Sequence, residues 1–288
     1  MKKILSILTA VFSCFAASAF DWPQAQVVQS DQFYSYFGQL RGDTISTSLI
    51  FSDPTEIKAS EKGSVTIVIN EYADSTDFFP STLGNAVIIA HADSMLTVYG
   101  NLSTESTGET LELPAIIAGG TPLGYSGNSA WQQGHSSLEF QVIDTKNNTA
   151  INPRLLMPRV GKELPLYYNE VSLQNKNGRF FNASVQNVLP SGVYRVYKKR
   201  QATATPYKTR VSVNGTVLDQ VSYDLLRQED NLLCASGKKN YPKSVLYPTD
   251  DLQLLGEVSL TPGKNALQLS LSDILGKETN ATYLITIY

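Results

Sequence analysis

The sequence predicts an all-β protein, and three observations carry that reading. Apolar and β-branched residues come in short runs, at Val65 to Ile69, Ala86 to Ala90, Met95 to Tyr99, Leu138 to Ile143, Tyr194 to Tyr197, Arg210 to Val213, Glu257 to Leu260, Ala266 to Leu271 and Tyr283 to Tyr288. Gly, Asn, Asp and Pro separate these runs, and helical patterning is confined to Val221 to Arg227 and a short turn near Pro153 to Met157. Strand and helix do not alternate, which excludes a parallel α/β fold. With 42% apolar and 17% charged residues, the 288-residue chain has enough apolar side chains to bury real cores.

Taken in chain order, the first element is not part of the fold. Lys2 and Lys3, an apolar run from Ile4 to Phe15, and Ala17-Ser18-Ala19 have the layout of an export signal (residues 1–19) cleaved after Ala19. Lipoprotein processing at Cys14 is the alternative, although Phe12 and Ser13 depart from a lipobox. Loss of Lys2 and Lys3 leaves 21 Lys and Arg against 26 Asp and Glu, a balance of −5 that argues against nucleic acid as a partner. No later stretch reaches the roughly 18 to 20 unbroken apolar residues of a membrane span. The expected location is therefore periplasmic or otherwise exported. Only Cys234 then remains, so no intramolecular disulfide is expected, and Asn231-Leu232-Leu233 before it predicts a buried thiol.

Residues 20–160 read as a first β unit whose loops are crowded with glycines and small polar residues, as in Ala118-Gly119-Gly120-Thr121-Pro122-Leu123-Gly124-Tyr125-Ser126-Gly127. Pro165, Asn175, Lys176, Asn177 and Gly178 interrupt the strand pattern, which places a linker at 161–178. Residues 179–288 read as a small Ig-like β-sandwich. Its cues are Pro190-Ser191-Gly192 before a strand, a hairpin signal at Asn214-Gly215, and Pro262-Gly263 between two strands. The Lys198-Lys199-Arg200 cluster is expected at a solvated strand end, and Arg41-Gly42-Asp43 as a turn.

Chemistry is limited most by the count of histidines, which is two. Sites needing three or more imidazoles are excluded, and neither His91 nor His135 lies in an HExxH motif. A Ser-His-Asp triple drawn from Ser137 or Ser129, His135 and Asp144 lacks the strand-turn-helix setting of a nucleophile elbow.

Between Gly84 and Pro153 several motifs fall in a definite order. Gly84-Asn85-Ala86-Val87-Ile88-Ile89-Ala90-His91 is a glycine-led strand, and Leu96-Thr97-Val98-Tyr99-Gly100-Asn101-Leu102 is a second. Gly120-Thr121-Pro122-Leu123-Gly124-Tyr125-Ser126-Gly127-Asn128-Ser129 is a loop, followed by Gly134-His135-Ser136-Ser137-Leu138-Glu139 and by Asn152-Pro153. Together with Tyr36-Phe37-Gly38 and Lys58 to Val65 upstream, this series resembles lysostaphin- and LytM-type zinc endopeptidases over roughly residues 33–160. The resemblance implies an antiparallel β-sheet core in which His, Asp and His hold zinc, with an open position for the attacking water, and two further histidines assist.

On that alignment the ligands are missing. The first motif, "H-x-x-x-D", falls on Ser46 and Ile50, or on Thr44 and Ser48. The catalytic His of "T-x-Y-x-H-L" is Asn101, and in "H-x-H" the first His is His135 whereas the metal-binding second is Ser137. The resemblance therefore implies a degenerate member with no cofactor, which binds peptidoglycan or a cell-envelope protein, or regulates envelope hydrolases. Asn101, Trp131, His135 and Ser137 would line its binding groove, with Asn101 and His135 as vestiges of catalysis. Two alternatives stay open. One is an active wall metalloendopeptidase with an unconventional zinc site, drawn for example from His91, Asp93, His135 and Glu139. The other is a structural or surface interaction protein.

Overall fold

The computed structural model describes residues 20–24, 32–53, 55–70, 81–104, 113–130, 137–159 and 161–288. The expected export signal, Cys14, Trp131 and His135 lie outside the described residues. The first half of the chain forms Phe33–Ser35 (β1), Leu40–Arg41 (β2), Thr44–Ile45 (β3), Leu49–Phe51 (β4), Glu56–Lys58 (β5), Gly63–Ile69 (β6), Asn85–Ala90 (β7), Met95–Leu102 (β8), Ile116–Ile117 (β9), Pro122–Tyr125 (β10), Glu139–Asp144 (β11) and Thr149–Ile151 (β12). The second forms Val171–Asn175 (β13), Phe180–Asn182 (β14), Val188–Leu189 (β15), Gly192–Lys199 (β16), Lys208–Val213 (β17), Thr216–Glu229 (β18), Leu232–Ser236 (β19), Asn240–Pro242 (β20), Leu252–Leu260 (β21), Gly263–Ser272 (β22) and Glu278–Ile287 (β23). Helix among the described residues is limited to short turns, including Pro153–Leu155 and Lys243–Leu246 (α1).

In the first half, β9, β6, β7, β8, β11 and β12 lie side by side, and β4 pairs with the start of β11. Side-chain alternation decides which face is buried. Phe140 and Val142 of β11 join Leu49, Phe51, Val87, Ile89 and Tyr99 in one core, each large apolar side chain contributing about 1.5–3 kcal/mol. Glu139 and Gln141 therefore point to the other face.

The second half is a sandwich. One sheet runs β14-β13-β16-β21, and the other runs β15-β23-β22-β17-β18 with β19 and β20 beyond. Leu173, Val196 and Val258 meet Val211, Leu269, Leu271 and Ile285 between the two sheets. Asn214 and Gly215, with φ of 51° and 84°, make the two-residue turn between β17 and β18. Cys234 is buried as expected, and burial pushes its thiol pKa up, with Glu229 and Asp230 adding to the effect.

Two expectations are corrected here. Val221 to Arg227 is not helical but the middle of the 14-residue strand β18. Val221 and Tyr223 are buried while Ser222 and Asp224 are less so, a period of two, and hydrogen bonds to β17 and then to β12 and β19 hold the strand extended. The segment 161–178 is not wholly linker, because Val171–Asn175 is a strand of the sandwich whose Val171 and Leu173 are core residues. The sandwich thus starts ahead of residue 179.

The straightened β18 also joins the two halves. Thr149, Ala150 and Ile151 pair with Arg227, Leu226 and Leu225, so one sheet continues from the first unit into the second. A shared core forms beneath this seam from Phe37, Ile45 and Ala150 on one side and Tyr197, Val221, Tyr223, Tyr241 and Tyr247 on the other. Asn152-Pro153 is the fastening: the Asn152 amide nitrogen donates to the Tyr223 carbonyl at 3.1 Å, and its side-chain oxygen caps the turn at Arg154. Arg154 in turn pairs with buried Glu163 and lies over the rings of Phe33 and Tyr36.

Candidate functional site

Ile50 and Glu139 are direct cross-strand partners of β4 and β11, so their side chains share the face turned away from the core. Ser48, two residues before Ile50, reaches the same face, where its hydroxyl meets Glu139. Glu139 is 3% exposed. A carboxylate so placed needs a counter-charge, and Arg41 supplies it from the β2–β3 hairpin. Its two terminal nitrogens donate to the two carboxylate oxygens at 2.8 and 2.9 Å. The Ser48 hydroxyl also donates to Glu139, and the Gln141 amide does so at 3.2 Å. Burial by itself would raise the Glu139 pKa. The Arg41 hydrogen bonds and charge, with Ser48 and Gln141, outweigh it and hold the carboxyl below its ordinary value.

The hairpin that delivers Arg41 turns at Gly42 and Asp43. Arg41-Gly42-Asp43 is thus a turn, as expected, with its Arg committed to Glu139 and its Asp 3.3 Å from Lys243 Nζ.

Asn101 is fully buried, with a φ of 61° that Asn tolerates better than most residues. Its amide nitrogen donates to the carbonyls of Gly127 and Ser137, and its side-chain oxygen accepts from the Ala130 backbone at 2.9 Å. The residue is a clamp that ties the 126–130 loop and the start of β11 to β8. The loop comes so close that a side chain on Gly127 would stand 2.3 Å from Ser103, and one on Gly84, at φ +62°, would stand 2.5 Å from Ser129 and Ala130. These glycines are therefore needed for the approach of the loop.

Of the four residues expected to line a groove, Asn101 and Ser137 fall among the described residues. Asn101 and Ser137 are both fully buried, and the Asn101 carboxamide is used up within the fold, so neither presents itself to a ligand. Trp131 and His135 lie outside the described residues. The Ser137 hydroxyl is buried without a hydrogen-bond partner among the described residues. Sequence reasoning missed Arg41, whose partner is 98 residues away. The available signal was a glutamate on a core strand, which demands a cation without saying which one.

His91 does not join this cluster. It lies against Met95 at one end of β8, whereas Glu139 lies against Gly100 five residues on, about 17 Å along a strand. Its ring nitrogens are 2.9 Å from the Lys62 carbonyl and 2.7 Å from the Thr97 hydroxyl, and Phe20 packs edge-on against the ring. Of the quartet His91, Asp93, His135 and Glu139, His135 lies outside the described residues, and no metal-binding group of three or more His, Cys, Asp or Glu occurs among the described ones. Asp144, at the Met95 end of β11, is likewise remote from Ser137 and shapes the turn at Lys146 and Asn147.

The family model described as peptidase family M23 matches residues 46–153, ending at the Asn152-Pro153 fastening. This segment is an M23 domain of the LytM type. A separate family model matches residues 165–288. An uncharacterized protein of Treponema pallidum (strain Nichols) is 29% identical over 133 residues, covering 43% of this chain and 87% of its own. Among solved structures, the SpoIIIAH and SpoIIQ complex is similar at TM-score 0.35 and 20% identity, over 48% of this chain and 99% of that one. A zinc-containing peptidase from Vibrio cholerae is similar at TM-score 0.33 and 18% identity, over 43% and 36% of the two chains.

Zinc is the group that the M23 family implies, and the described residues do not fit it. Ser46 donates its hydroxyl to the Ser48 carbonyl at 3.1 Å, Ile50 offers only alkyl carbon, and Thr44 is exposed on the hairpin. Glu139 is the carboxylate on this face, and both of its oxygens face a guanidinium that would repel a cation.

Proposed function

We propose that this chain is an exported, catalytically inactive M23-type protein that binds peptidoglycan or a cell-envelope partner, regulating envelope hydrolases rather than acting as one. The observation that carries this reading is the Arg41–Glu139–Ser48 network on the face of β4 and β11 where the M23 family places metal ligands. A guanidinium there balances the Glu139 carboxylate. The loops and glycines of the domain are kept because the sheet needs them for packing. Catalysis alone needs the ligands, and serine and isoleucine stand at their positions. Residues 1–19 supply the route of export, and the sandwich, fused to the M23 domain through β12 and β18, offers a second surface for docking.

Co-sedimentation of the purified protein with isolated peptidoglycan, with soluble fragments measured in the same tube, tests the reading. Retention without release of fragments is expected. Release of fragments that stops on chelation would overturn the inactive assignment. Absence of retention would overturn wall binding and leave a protein partner.

A further inference from the structure

The outer face of the β14-β13-β16-β21 sheet carries a polar groove that none of the matches assigns. Gln174, Arg195 and Glu257 are direct cross-strand partners of β13, β16 and β21, so they form one row of its floor. Val193 and Ser259 form the next row. Lys176 flanks the floor from the turn between β13 and β14, and Lys239 flanks it from the turn between β19 and β20. The space they enclose is about 470 Å³, and it continues past Lys176 and Val193 into a neighbouring depression of about 390 Å³.

Charge gives this groove a sign. Three cations, Lys176, Arg195 and Lys239, surround one carboxylate, Glu257. Glu257 lies 2.8 Å from Lys239 and 3.9 Å from Arg195, so it balances one positive charge and leaves an excess of two. The whole chain carries a net −3, which makes this a local reversal. Arg195 is 38% exposed and Lys239 49%, so both hold donors at the surface of the groove. Arginine pairs with carboxylates through its planar fork, and the Gln174 carboxamide beside it can bond a peptide backbone.

We infer that this groove binds a short extended peptide carrying two carboxylates. An excess of two positive charges matches two carboxylates, and a floor two strand rows deep suits a few extended residues. The inference rests on the sandwich alone and is independent of the reading of the M23 domain.

Calorimetric titration of the full-length chain at low salt with an acetylated, amidated Glu-Gly-Glu peptide tests it, with the Gln-Gly-Gln counterpart and inorganic phosphate as comparison ligands. Saturable binding of the acidic peptide is expected, at least tenfold weaker for the double variant Arg195→Gln with Lys239→Gln. Glu257→Gln removes the competing carboxylate and is expected to tighten binding several-fold, a direction that damage to the fold would not produce. Equal binding of the neutral peptide, binding of phosphate as tight as that of the peptide, or an affinity unmoved by Glu257→Gln would each overturn the assignment.

Discussion

Three arginine–glutamate pairs cross from strand to strand among the described residues, and the difference between two of them separates a closed site from an open one. In the M23 domain Arg41 and Glu139 meet in a two-pronged pair at 2.8 and 2.9 Å, with side chains 13% and 3% exposed. In the sandwich Arg195 and Glu257 stand 3.9 Å apart, 38% and 16% exposed. The same chemistry serves the fold in the first place and leaves donors for a ligand in the second. Burial decides which, because a desolvated charge cannot be left without its partner, whereas a solvated one can exchange partners at little cost.

The widest contrast between the pairs is expected in stability. Arg41→Ala or Glu139→Ala should cost about 3–5 kcal/mol in denaturant unfolding, since each strands a buried charge. Acid sharpens the point. The Glu139 pKa is depressed in the fold, so its stabilisation is complete above the unfolded carboxylate value near pH 4.3 and is lost as pH falls through the lower folded value. A Glu139→Gln variant should lose that component of acid sensitivity, which pH-dependent urea curves would reveal.

Next in size is Asn101→Ala, expected to cost about 2–3 kcal/mol because it orphans the partners of a buried carboxamide and places alanine at positive φ. Thermal or urea unfolding checks this, and an unchanged midpoint would show that Asn101 is not a clamp. A gain is expected at Lys198, which, contrary to the solvated strand end expected for it, is fully buried on β16 with its ammonium 3.3 Å from Gln201 Oε1 and 3.4 Å from the Tyr167 carbonyl. Burial pulls its pKa down to about 8. The folded protein therefore carries a penalty below that value, relieved as pH rises toward the ordinary lysine value near 10.4, where the unfolded chain also sheds its proton. Lys198→Met should raise stability at pH 7 by about 1–2 kcal/mol, and the advantage should shrink above pH 8. Smallest of all is Arg195→Ala, expected within about 0.5 kcal/mol. A cost as large as that of Arg41→Ala would erase the contrast between the pairs.

The strands were legible because alternation and turn chemistry are local. Val65 to Ile69, Ala86 to Ala90 and the Asn214-Gly215 hairpin need only their neighbours to be read. Val221 to Arg227 misled because Val-Ser-Tyr-Asp-Leu-Leu-Arg fits either period, and tertiary pairing with β17, β19 and β12, the last some 75 residues upstream, selects the strand. That misreading also concealed the seam between the two halves. At the candidate site, spacing carries only the expectation that Ser46 and Ile50, or Thr44 and Ser48, with Ser137, stand at the ligand positions of the family. The Arg41–Glu139 pair could not be read, because Arg41 meets Glu139 through tertiary structure. Asn101 looked like a residue for a ligand and proved to be one for the fold, since its burial is set by a loop that returns from residue 126 onward.

The central claim is that a salt bridge stands where this family holds its metal, and zinc stoichiometry tests it most directly. Purified protein equilibrated with excess zinc and then desalted should carry far less than one zinc per chain by elemental analysis, and the Glu139→Gln variant should carry no less than the parent. One zinc per chain, lost on His135→Ala, would contradict the account.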